Sequence, residues 1–287
     1  MFKNLNAGAL GIRDRSLPEI IELARKGGFG GVDFDIRAAA ALAEERGVDG
    51  VRGLFEVNDI LPGSWGLPVA WRDDEQWMGD LNDLPELAAL GRQLGCPRTA
   101  TYIRSGSNER PYKENFAWHV SRFRPIAEVL NEEGCRLGLE FLGPKTMREN
   151  KEYEFIHTLD QLMELAEAIG TGNVGVLLDA WHLYTSGGTA QDAEGLTAEE
   201  IVIVHVNDAP AGVDREAQID SVRKLPMTTG VIDLESFMHV LIEVGYDGPV
   251  TPEPFSVRVK AIAQRDPLEA VKMAAETMDR LWQTMRE

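Results

Sequence analysis

Residues 158–184 read T-L-D-Q-L-M-E-L-A-E-A-I-G-T-G-N-V-G-V-L-L-D-A-W-H-L-Y. Thr158 is a helix-capping residue and Gly170 a helix terminator, so the first half of the stretch is one helix. The apolar run Val174–Leu178 that follows has the length and composition of a buried strand. It ends on Asp179, and His182 comes three residues later. A helix, a glycine turn, a strand and then a charge form a phrase, and its recurrence decides the fold. Asp179 alone leaves two readings open. It can cap a following helix, as aspartate does well, or it can face a site where charge is wanted.

The same phrase recurs in both directions. Toward the C-terminus, a short helix near Thr197–Glu200 leads into I-V-I-V-H-V, residues 201–206. Asp233 caps a helix ending at Gly245, Pro249–Glu253 is a last strand, and Pro267–Met285 a final helix. Toward the N-terminus lie a strand Leu137–Leu142, a long amphipathic helix Glu114–Glu133 and a strand Thr99–Ile103. Earlier still, Leu5–Leu10, Val32–Ile36 and Val51–Val57 are read as strands. Helices fall after Ser16, over residues 37–46 and up to about Leu94, and the stretch L-P-G-S-W-G-L-P-V-A-W-R-D-D is read as a loop. Strand–helix alternation implies parallel strands with right-handed crossovers. Eight strand-like runs favour a closed (β/α)8 barrel over an open sheet, and no G-x-G-x-x-G follows the first strand. The expectation is one α/β barrel domain spanning residues 1–287.

The totals narrow the function. A net charge of −18 over 287 residues opposes binding to nucleic acid through its phosphates. No apolar stretch approaches the roughly 20 residues of a membrane span. The N-terminus has no signal-peptide core, and Cys96 and Cys135 match no zinc or redox spacing. A cytoplasmic protein acting on a small molecule is expected.

Active sites of such barrels lie where strands end. The last four expected strands carry Glu140 in G-L-E-F-L-G, Asp179 in L-L-D-A-W-H, His205 in V-H-V-N-D and Glu253 in T-P-E-P-F. Singly, each reads equally well as a cap or an ion-pair partner. Three buried carboxylates and an imidazole at one level are untenable without compensation, which a divalent cation supplies. The donor set lacks thiolate and suits Mn²⁺ first, then Mg²⁺ or Co²⁺.

At these residues the chain resembles the xylose isomerase-like barrel superfamily, in its sugar phosphate isomerase/epimerase branch, which includes ketose 3-epimerases and inosose dehydratases. The resemblance implies that Glu140, Asp179, His205 and Glu253 hold the metal. It implies that His182, in the D-x-x-H pattern with Asp179, contacts substrate. It also directs attention to an arginine after the strand-seven histidine, for which Arg215 is the nearest candidate. Homo-oligomers are common in that family, and a small carbohydrate is the implied partner.

The implied chemistry is proton transfer through a metal-stabilised enediolate, with Glu140 and Glu253 as base and acid. An alternative is β-elimination from a keto-sugar, inosose or 3-keto-glycoside, with His182 protonating the leaving oxygen. Lys145 and Arg148 are placed in the loop after Glu140, either steering an anionic or oxygen-rich substrate or pairing with Glu149 and Glu152. Tyr102 and Arg104 end strand four within reach of the pocket. Trp65, Trp71 and Phe55 are candidates for an apolar wall, and His119, His157 and His239 read as structural. An abasic-DNA endonuclease would need a basic face, and a non-catalytic binding protein would be expected to lose some of the four ligands.

Overall fold

In a computed structural model of the protein, describing residues 1–285, eight parallel strands close into a barrel. They are β1 (Phe2–Leu5), β2 (Gly31–Phe34), β3 (Leu61–Gly66) and β4 (Arg98–Ile103). The second half supplies β5 (Arg136–Phe141), β6 (Val174–Asp179), β7 (Ile201–Val206) and β8 (Pro249–Pro252). Neighbours follow chain order around the ring, and β8 pairs back onto β1 through Phe2↔Pro249 and Lys3↔Val250. Every adjacent strand pair is parallel, so each connection must cross over, and helices fill those crossovers. Among the described residues no helix is long and apolar enough to cross a membrane.

The local rules read in the sequence act where expected. Thr158 accepts from the Gln161 amide and caps Leu159–Ile169, and Gly170 ends that helix in the left-handed region. Asp233 caps Leu234–Glu243, and Asp266 caps Pro267–Thr284.

Three expectations in the chain require correction. The first strand is Phe2–Leu5 rather than Leu5–Leu10, because Asn6 turns the chain by accepting from the Ala9 amide at 3.0 Å. Val51–Val57 is not a strand but part of the helix Val48–Asn58. Val51 and Phe55 sit one helical turn apart on its buried face, and Phe55 meets Phe34 edge-on at 5.8 Å. The third strand lies in the stretch read as a loop, where Pro62, Gly63 and Gly66 mask it. Gly63 is required there, since a Cβ would stand 2.2 Å from Asn4 Oδ1. A smaller difference is Thr197–Glu200, which forms reciprocal Thr197–Glu200 hydrogen bonds without continuing into a helix.

These corrections also relocate the aromatic residues. Trp65 lies on β3 with its indole nitrogen donating to Cys96 O at 2.9 Å, and Phe55 packs from its helix against Phe34 of β2. Both belong to the core, and Trp65 also lines the cavity that holds Glu140 and His205, whereas Phe55 does not line it.

Candidate metal centre

Strand register sets the level of the site. Asp179 pairs with His205 across β6 and β7, and Thr251, two residues before Glu253, pairs with His205 across β8 and β7. Glu140 pairs with Tyr102 across β5 and β4. Donor atoms of Glu140, Asp179, His205 and Glu253 come within 4.8 Å of one another. Sequence position alone had spread them over more than a hundred residues, and barrel closure brings them together.

Each member has a distinct environment. Asp179 is fully buried, and its Oδ1 accepts from the Trp181 amide at 2.7 Å and from Asn207 Nδ2 at 3.2 Å. It therefore caps the helix Ala180–Thr185 and faces the site as well, so both readings of the residue apply. Glu140 Oε1 and His205 Nδ1 are buried without a hydrogen-bond partner. They stand 3.7 Å apart, and His205 Nδ1 lies 3.6 Å from Glu253 Oε2. Burial pushes the Glu140 carboxyl up to about 7, with the Glu253 and Asp179 carboxylates adding to the rise and His205 opposing it. Burial disfavours charge on His205, yet Glu253 and Glu140 outweigh it and raise its pKa well above the usual imidazole value. Burial would also raise Glu253, but His205 and Arg223 bring it down to about 2.

Arg223 is the residue that sequence reading missed. It is almost wholly buried and donates from Nη1 to Asp179 Oδ2 at 2.8 Å and to Glu253 Oε2 at 2.7 Å. Its Nη2 donates to Asp220 Oδ1 at 2.7 Å and lies 3.1 Å from His182 Nε2. Arg215 lies exposed on the short turn Arg215–Ala217, its guanidinium 5.8 Å from the Tyr184 ring centroid. The arginine that reaches the group comes from later in the same loop. That loop is anchored by Asp208, whose carboxylate accepts from the amides of Thr228, Thr229, Gly230, Val231 and Ile232. Burial would raise the Asp208 pKa, but this cradle of N–H donors lowers it.

His182 is fully buried beside the group, its Nε2 3.9 Å from Glu140 Oε1. Its Nδ1 lies 3.2 Å from the Gly143 amide and its Nε2 3.1 Å from Arg223 Nη2, both of them donors. Burial holds its pKa down at about 3, with Asp179 pulling upward and Arg223 downward. Glycine is needed at 143 as well, because a Cβ there would meet His182 O at 2.1 Å.

Asp33 on β2 also lines the cavity that holds Glu140 and His205. Its Oδ1 accepts from Asn4 Nδ2 and Ser64 Oγ, each at 2.7 Å, and burial raises its pKa. An acid inside the short run G-V-D-F was its only signal in the sequence.

The lip residues divide. Lys145 is exposed and paired with Glu216 at 2.7 Å, while Arg148 donates to Gly143 O at 2.7 Å and lies 3.9 Å from Glu154. Neither pairs with Glu149 or Glu152. Tyr102 is exposed at the rim. His119 is buried against Trp71 and Phe155, His157 approaches Phe155 O at 2.7 Å, and His239 is exposed on its helix.

The sequence model of the xylose isomerase-like TIM barrel matches residues 21–281. The chain belongs to that family. Among its relatives in this barrel family, an inosose isomerase of Halalkalibacterium halodurans is 24% identical over 275 residues, covering 93% of this chain and 91% of the other. A ketose 3-epimerase of Arthrobacter globiformis is 26% identical over 251 residues, covering 84% and 78%. A solved xylose isomerase domain protein from Alicyclobacillus acidocaldarius superposes with a TM-score of 0.80 at 30% identity, covering 96% of this chain and 99% of that one.

The donor set of this xylose isomerase-like barrel fits a divalent ion. It offers three carboxylates and one imidazole, two of whose buried donor atoms are otherwise unpartnered. Arg223 uses only one oxygen of Asp179 and one of Glu253, so each carboxylate keeps lone pairs for a further cation.

Proposed function

We propose that this chain is a divalent-metal-dependent isomerase or epimerase of a keto-sugar, working by proton transfer at the carbon beside a carbonyl. One observation carries the reading: Glu140, Asp179, His205 and Glu253 converge within 4.8 Å at the ends of four successive strands. These four residues would hold the ion, with Mn²⁺ matching the oxygen-rich set first and Mg²⁺ or Co²⁺ next. Once bound, it would act as a Lewis acid that offsets negative charge on a substrate oxygen as the neighbouring C–H bond breaks.

The chain's own residues divide the remaining work. Glu140 and Glu253 come from β5 and from just beyond β8, and lie 3.7 and 3.6 Å from His205 Nδ1. One takes the proton from carbon and the other returns it, a contribution of about 10²–10⁴-fold in such catalysis. Arg223 keeps Glu253 ionised and fixes one oxygen each of Asp179 and Glu253. His182, neutral and held between the Gly143 amide and Arg223, contacts a substrate oxygen. Tyr102 meets the substrate at the rim, with Lys145, Arg148 and Arg215 contributing from the lip.

Elimination is the second reading, favoured by His182 Nε2 lying 3.9 Å from Glu140 Oε1. A base and a proton donor then flank the same point, as loss of a β-hydroxyl requires.

The test is incubation of metal-loaded protein with ketohexoses and inososes in D₂O, followed by proton NMR. Deuterium at the carbon beside the carbonyl, with an isomeric product, supports the first reading. A dehydrated product moves the assignment to elimination. Absence of exchange in every ketose and inosose contradicts both.

A further inference from the structure

A second cavity of about 670 Å³ opens beside the metal group. Tyr102 lines both cavities and is the register partner of Glu140 on the adjacent strand, so the two meet across strands about 4.8 Å apart. The walls come from the loops after β3, β4 and β5. A short antiparallel ladder, Gly106–Ser107 with Tyr153–Glu154, ties two of those loops together.

The charge of this chamber runs against the rest of the molecule. In a chain of net charge −18, it is lined by Arg72, Arg104, Arg110 and Lys151. Its two acids are already engaged, Asp74 with Arg122 and Glu109 with Arg110 at 3.1 Å. Among the described residues, Arg72, Arg104 and Lys151 form no ion pair with a carboxylate.

Aromatic rings also line the chamber, which would ordinarily suit the apolar face of a sugar. Here cations cover those faces. The Arg72 guanidinium lies 4.0 Å from the Trp71 ring centroid and 4.3 Å from that of Tyr102, and Arg110 lies 4.6 Å from Trp118. Stacking fixes the plane of each guanidinium, with Arg72 Nη2 donating to Tyr102 O and Arg110 Nη1 to Glu109, and leaves the remaining N–H groups for an anion at a lowered entropic cost. Ser105 supplies an independent sign. It lines the chamber, is 2% exposed, and its buried hydroxyl has no partner. A buried hydroxyl left unsatisfied beside arginines is complementary to an oxyanion.

We propose that this chamber seats an oxyanion, phosphate or carboxylate, carried by the substrate whose carbonyl end faces the metal group. The proposal rests on the isomerase reading above and narrows its substrate to an anionic keto-sugar.

Inorganic phosphate titrated calorimetrically into the whole protein is the first probe. Glu140→Gln should bind phosphate as the parent does, which separates the chamber from the catalytic group. Arg104→Gln and Lys151→Gln alter exposed side chains and leave folding intact. Each should weaken phosphate by about tenfold, as expected for loss of a charge-assisted contact. In the kinetic arm, Arg104→Gln should lower kcat/KM about tenfold for phosphorylated or carboxylated ketoses and leave that of neutral ketoses within about twofold. Loss that is equal for neutral and anionic substrates overturns the proposal. Absence of phosphate binding overturns it too. Phosphate bound without any preference for anionic substrates would make the chamber an effector site and overturn the substrate assignment. Retained phosphate binding with no exchange in any ketose would refute the isomerase reading while supporting the chamber's oxyanion chemistry.

Discussion

Replacing Arg223 with methionine tests whether the arginine acts as a built-in countercharge. The substitution keeps the length of the apolar stem and removes bonds to Asp179 at 2.8 Å, Glu253 at 2.7 Å and Asp220 at 2.7 Å. Asp220 is a quarter exposed, so water screens its loss. Asp179 is buried and Glu253 largely so, and the two would be left without their shared cation. Removing one partner of a buried pair costs about 3–5 kcal/mol. For a chain of this size that corresponds to roughly 6–20 °C in Tm, at about 2–4 °C per kcal/mol. Glu253, held at about 2 while Arg223 is present, can relieve part of this by taking up a proton. The variant's deficit should therefore be smaller at pH 5 than at pH 8. Thermal melts of parent and variant in chelator give the full deficit. With saturating Mn²⁺ the deficit should fall by at least about half, because the ion compensates the same carboxylates. An unchanged deficit in chelator and in Mn²⁺ would refute the countercharge argument.

Other consequences are separable. His119 titrates at about 4 in the fold against 6.5 ordinarily, chiefly through burial, so the unfolded chain binds the extra proton between those values. Stability from this residue is complete above pH 6.5 and lost as pH falls toward 4, by about 3 kcal/mol. His119→Phe, followed by urea unfolding across that window, should flatten this part of the profile. Asp208→Ala strands the amides of residues 228–232 and should cost about 3 kcal/mol or more, with faster hydrogen exchange confined at first to that loop. Burial pushes the Cys96 thiol up to about 12, so iodoacetamide should modify it only after unfolding, as mass spectrometry would show.

The second half of the barrel was legible because its strands are buried on both faces and read as unbroken apolar runs. In I-V-I-V-H-V or V-G-V-L-L-D a charge then stands out at once. The four candidate donor residues were readable for that reason, each standing at or near the end of such a run. The third strand was not, because L-P-G-S-W-G carries a proline and two glycines, of which Gly63 answers to the close approach of Asn4, a tertiary contact. Val51–Val57 has an apolar spacing that suits either a short strand or a helix face, and only its contact with Phe34 decides between them. Arg223 was hidden in the polar stretch D-S-V-R-K, where nothing in the spacing marks it. Its burial is a product of the loop that Asp208 anchors, a tertiary effect with no local signature. The cationic chamber was likewise invisible, since its residues are scattered from Arg72 to Lys151 and the total charge points the other way.

The central claim is a single divalent site built from Glu140, Asp179, His205 and Glu253. Its most direct measurement is calorimetric titration of chelator-stripped protein with Mn²⁺, beside His205→Ala and the exposed control His239→Ala. The account predicts one ion per chain for the parent and for His239→Ala, with binding weakened at least about a hundredfold in His205→Ala. Equal binding by His205→Ala and the parent, or no saturable binding at all, would contradict it.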